Sequence, residues 1–239
     1  YFKASENFKV GNFTAMFNNY MAAIRLNGHE EFYLAHYLSD IINSKAATLI
    51  NEDNSQTDIV KYLEEMMARD EKLSPVSFRL IRRALFFSIL AEYKDKEYAE
   101  RAEKIYRQLT QENPYLLDVY LDWGIMLARA GDYGRAIEVF NSSFKAVPDL
   151  ASPYLNNDHR GKIFEYLINI YDGLGYSYCA AGEFKKCVES YKNILKMNPY
   201  KFDVYKKIAD AYRAQGDLEM AIWYDGRGEQ IEKFTTELK

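Results

Sequence analysis

The residues from Ile168 to Pro199 carry a pattern that returns in register 34 residues later, starting at Phe202. With Ile168 as position 1, Tyr171, Leu174, Gly175, Tyr178, Gly182, Phe184, Cys187, Tyr191 and Pro199 occupy positions 4, 7, 8, 11, 15, 17, 20, 24 and 32. Tyr205, Ile208, Ala209, Tyr212, Gly216, Leu218 and Ala221 refill positions 4 to 20 of the next unit. Upstream, Leu117 opens a third unit with Tyr120, Trp123, Gly124, Leu127, Gly131, Tyr133, Ala136, Phe140 and Pro148 in the same places. Arg83 opens a fourth, with Phe86, Ile89, Leu90, Tyr93, Ala102, Tyr106 and Pro114 in place but Glu97 where the turn glycine belongs. A period of this length means like units, each too small to bury its own apolar face, stacked to share one core.

The residue types follow from that architecture. Apolar residues three and four apart give each unit two amphipathic helices, split by a glycine that favours positive φ and closed by a proline. Small residues at positions 8 and 20 (Gly175 with Cys187, Gly124 with Ala136, Ala209 with Ala221) let the paired helices approach, and the aromatics fill the space between pairs.

This 34-residue helix–turn–helix pattern resembles the tetratricopeptide repeat. The resemblance implies an all-α right-handed superhelix of antiparallel helix pairs, an α-solenoid forming one array. Its expected parts are a partial repeat over 1–28, an enlarged degenerate repeat over 29–82 and repeats over 83–116 and 117–148. An insertion over 149–167, a repeat over 168–201, and a repeat with a polar capping helix over 202–239 complete it. The first partial unit (Phe8, Gly11, Phe13, Met16, Tyr20, Ala23, then Gly28) would begin before Tyr1, so the chain reads as a piece of something longer. In the enlarged unit, Leu34 to Ile50 trace one helix face, and Ile59, Tyr62, Leu63, Met66 and Met67 a second. Ser74-Pro75 reads as the start of the next helix. Within the insertion, Ser152-Pro153 and Asn156-Asn157-Asp158 read as loop, with a helix beginning near Gly161.

Composition narrows the function. A net charge of −4 argues against nucleic acid, which needs a basic face. No segment approaches the roughly 20 apolar residues of a membrane span, so this stretch is not expected to insert directly. Positions 4, 11 and 24 accept tyrosine, which accounts for the excess of 21 tyrosines. Cys179 and Cys187 give no disulfide framework and read as core thiols, which leaves the compartment open. His29, His36 and His159 lack metal-ligand spacing. No phosphate loop, nucleophile elbow or kinase-like motif is present, and paired acids such as Glu64-Glu65 are solvated helix faces. No enzyme, cofactor or metal is expected.

In the resembled family the first helices line the concave face, with positions 2, 5, 9, 12 and 13 pointing into it. That transfer nominates Ala84, Phe87, Ala91 and Lys94; Asp118, Leu121, Ile125 and Arg129; Asn169, Asp172 and Tyr176; and Asp203, Lys206, Asp210 and Arg213. Phe87, Leu121, Ile125, Asn169, Asp172 and Tyr176 are the expected main contacts with a protein or peptide, Arg129, Lys206 and Arg213 would orient it by charge, and Asp210 is a further partner-binding position. The Lys/Asn/Asn clamp with which some members hold a terminal carboxylate is missing: Leu121, Ile125 and Gly173, or Asp172, Tyr176 and Lys207, stand there. Homo-oligomerisation is left open; Trp223, expected to face solvent one position from a buried Ala221–Ile222 pair, is a second contact candidate. The layout also resembles the carboxyl-terminal repeat regions of bacterial O-antigen ligase or polymerase-family membrane proteins. That implies, as the alternative to a free scaffold, an accessory domain of a polysaccharide-handling enzyme.

Overall fold

Gly131, Gly182 and Gly216 hold φ values of 79°, 77° and 82°, where a side chain would be strained. Each ends one helix, and a bond from the next residue's N–H to a carbonyl five residues back closes the turn: Asp132 to Leu127, Glu183 to Tyr178, Asp217 to Tyr212. The chain then reverses into a second helix, capped by the Asp132 side chain on the Arg135 N–H and by the Asp217 side chain on the Met220 N–H.

The computed structural model describes residues 77–93, 96–152 and 155–237, with 19, 22, 63–65, 67 and 68. Their helices are α1 (Ser77–Tyr93), α2 (Lys96–Glu112), α3 (Leu117–Arg129), α4 (Tyr133–Ser143), α5 (Asn157–Ala180), α6 (Phe184–Met197), α7 (Phe202–Ala214) and α8 (Leu218–Glu237), with a 3-10 turn at Phe144–Ala146. Among the described residues there is no strand, and the fold is the all-α stack of helix pairs expected from the period. Most of the partial repeat over 1–28, most of 29–82 (His29, His36 and the Ser74-Pro75 start included), Lys94 and Pro153 lie outside the described residues.

The chain divides into two compact units, 1–111 and 112–239. In the first, Ser88 on α1 meets Tyr106 on α2 hydroxyl to hydroxyl at 3.0 Å, and Leu63 and Met67 are buried. In the second, α3 packs on α4, α5 on α6 and α7 on α8; α5 also packs against both α3 and α4, and α7 against α6. Its last core joins Cys187, Val188, Tyr191 and Ile194 of α6 to Val204, Tyr205 and Ile208 of α7.

Two expectations are corrected within the α5–α6 pair. Asn156 accepts the His159 N–H at 2.8 Å, so the helix starts at Asn157, a turn earlier than the Gly161 start, and 157–167 extends α5. The segment expected as an insertion over 149–167 thus adds about three turns to the start of a first helix. The cysteines are not free thiols: Cys179 and Cys187 form a disulfide across the Gly182 turn, with Cα atoms 5.1 Å apart. The antiparallel register that seats Tyr191 on Gly175 also brings these two residues face to face.

Candidate functional site

Small residues decide where the first helices leave room. A Cβ on Gly124 of α3 would lie 2.4 Å from the Phe140 ring, and one on Gly173 of α5 would meet the same ring at 2.4 Å. Phe140, fully buried, is held between these two backbones. One pair further on, Gly175 stands against the Tyr191 ring, where a Cβ would approach to 2.5 Å. The partner of the position-8 glycine is thus the position-24 aromatic.

Above these contacts lies a cavity of about 700 Å³, lined by Leu121, Ile125, Ala128 and Arg129 of α3, Phe140 of α4, Asn169, Asp172, Gly173 and Tyr176 of α5, Tyr191 of α6 and Lys207 of α7. Its floor is apolar: Leu121 and Phe140 are buried. Its rim is polar and aromatic. Lys207 Nζ donates to Asp172 at 2.5 Å and stands 5.6 Å from the centre of the Tyr191 ring. Burial, with the nearby Asp172 charge, pushes the Tyr191 phenol above its ordinary range, so it stays protonated. Tyr176 is half exposed and meets Tyr133 edge to face at 6.1 Å. The Tyr176 hydrogen bond holds the Tyr133 phenol above its usual value.

Six nominated residues (Leu121, Ile125, Arg129, Asn169, Asp172 and Tyr176) converge on this one cleft. Phe87 does not belong to it. It is 3% exposed in the first unit, between Phe86 and Tyr98, with the Arg83 guanidinium 5.3 Å above its ring. Ala84, Phe86, Phe87 and Leu90 are all buried, as befits a helix apolar around much of its circumference, and this corrects Phe87's expected surface role. Lys206, Asp210 and Arg213 are exposed on α7 but do not line the cleft, and Arg213 is bonded to Asp210 and Asp225. In their place stands Lys207, which shares position 6 with Gly173. Gly173 and Lys207 entered the sequence argument only where the carboxylate clamp is missing and were not nominated as contacts, nor were Ala128, Phe140 and Tyr191. The 8/24 pairing across the turn was the available signal for the two aromatics.

Beside the cleft, α3 carries Asp122, also at position 6. Loss of solvation, reinforced by Asp118, raises its carboxyl to about 7. The same two carboxylates, added to burial, raise the Tyr166 phenol on α5. Among the described residues no group of three His, Cys, Asp or Glu side chains could hold a metal ion, and no helix is long and apolar enough to cross a membrane.

No family model matches the chain, and no curated protein sequence matches it. Solved structures do. MamA (residues 41 to the end) from Desulfovibrio magneticus RS-1 superposes with a TM-score of 0.58 at 14% identity, covering 86% of this chain and 96% of that one. Another MamA structure gives 0.57 at 15% identity, covering 85% and 94%. A tetratricopeptide repeat protein from Parabacteroides merdae ATCC 43184 gives 0.59 at 15% identity, covering 93% and 74%. At such identities the likeness establishes the fold, which is of the tetratricopeptide type.

Proposed function

We propose that this protein is a non-catalytic scaffold whose second unit holds a segment of a partner protein in the cleft between α3, α5 and α7. The observation that carries the reading is the convergence of six residues, nominated by repeat position, on one apolar-floored cavity of about 700 Å³. A floor of Leu121, Ile125 and Phe140 suits one or two large apolar side chains. The rim of Asn169, Tyr176, Arg129 and the Lys207–Asp172 pair suits the peptide backbone and polar neighbours. Nothing in the lining pairs a nucleophile with a base, which favours holding over transforming.

Peptides selected from a random displayed library against the intact chain provide the probe. Leu121→Ala and Tyr176→Ala are each expected to weaken the selected peptides by roughly 1–3 kcal/mol while the helical circular dichroism is unchanged. Selected peptides that bind both variants like the wild type would place the contact outside the cleft and overturn the reading.

A further inference from the structure

The 34-residue shift maps Phe184 onto Leu218 and Val188 onto Ile222. On α6, Val188 is 5% exposed because α7 covers it, in one core with Val204 and Ile208. On α8, Ile222 is 71% exposed and Leu218 61%, since no helix among the described residues lies against that face. Trp223, 57% exposed, widens the patch, and its edge contact with Tyr224 at 4.8 Å fixes its orientation. A Cβ on Gly226 would meet nothing within 4 Å, so another backbone could come close there. The stacking surface that joins the pairs of this unit therefore continues onto α8, with no described helix packed upon it.

The charges bordering this patch identify what fits it. Glu219, Trp223 and Arg227 are spaced by four along one exposed stripe of α8, with opposite charges at equal distances on either side of the tryptophan. An antiparallel copy of the same helix, centred on Trp223, sets Glu219 of each copy opposite Arg227 of the other. Ile222 and Trp223 from both copies then close the middle. A parallel copy would place like charges together. We infer that the α8 face is a self-complementary interface through which two copies of this chain pair by a twofold axis at Trp223. This surface is separate from the cleft, and the inference does not depend on the cleft's function.

Sedimentation equilibrium of the full chain, across micromolar to submillimolar concentrations, tests it. The mass is expected to rise from that of one chain toward that of two, with a blue shift in Trp223 emission that Trp223→Phe removes. Ile222→Glu should hold the chain monomeric with unchanged circular dichroism. Glu219→Arg and Arg227→Glu should each weaken pairing by about tenfold or more, and the double variant, which restores opposite charges, should recover it. A chain that stays monomeric throughout would overturn the proposal. So would a dimer that survives Ile222→Glu, or a double variant no better than its parents.

Discussion

Phe140 cannot yield to a new neighbour, because glycine backbones press it from α3 and from α5. Gly173→Ala is therefore expected to destabilise by roughly 1–3 kcal/mol despite adding one methyl group, and Phe140→Leu in the same chain should relieve much of that cost. Gly124→Leu and Gly175→Leu, which drive larger groups into Phe140 and Tyr191, should each exceed about 2 kcal/mol in denaturant melts. Unchanged midpoints would refute the register. Position 8 was readable because small residues recur there; Gly173 at position 6 was not, since its need arises from a ring on another helix. Asp122 offers a pH test. Its ordinary value is 3.8, and in the fold it rises to about 7. Between those values the native state keeps a proton that the unfolded chain has lost. The stability from the neutral carboxyl is thus complete below about pH 4 and is lost as pH climbs to about 7. Asp122→Asn should accordingly lose less thermal stability than the wild type between about pH 4 and pH 7. Parallel pH profiles would show that the carboxyl is not desolvated.

At the scale of elements, the α5–α6 pair differs from its neighbours by its disulfide and its length. Closing the short loop from Cys179 to Cys187 constrains the unfolded chain by about 2–3 kcal/mol in the chain-entropy picture. Reduction, or replacement of both cysteines by serine, should lower the melting midpoint accordingly while leaving the helix content intact. An oxidised and a reduced chain that melt together would show that the bond adds nothing. Gly182 has open space around it, so Gly182→Ala tests backbone strain alone, with an expected loss of about 1 kcal/mol. The turn glycines were fully legible, since only positive φ closes these turns. The disulfide was missed because a cysteine at position 20 satisfies the small-residue rule as well as an alanine does. The early start of α5 was missed because an asparagine run resembles a loop until one side chain is seen to cap the helix.

Across the whole molecule, legibility tracks regularity. Residues 117–239 repeat closely enough to give every helix and turn glycine and most of the cleft wall. The stretch from 83 departs in phase: α1 already begins at Ser77, and Phe87 faces the core rather than a partner. Position rules carry over only where the pairing register does. Because such arrays gain stability from neighbour to neighbour, removing 202–239 would uncover Cys187, Val188 and Ile194. The shortened chain should keep most of its remaining helix yet melt lower and bind a hydrophobic dye at the new end. A truncation that melts like the full chain would show that α7–α8 contribute no stacking energy.

The bridge between Cys179 and Cys187 also changes the chain's connectivity. Lys185 and Lys186 lie inside the ring it closes, and both are exposed. A trypsin-like cut at either lysine severs the backbone but not the molecule, because the flanking segments remain joined through sulfur. On a gel, a nick confined to these lysines would run as one band without reductant and as two with it. The same protection would act wherever the chain meets a protease: a cut at this turn would leave the cleft-lining helices and the α8 face on one covalent body until the bond itself is reduced.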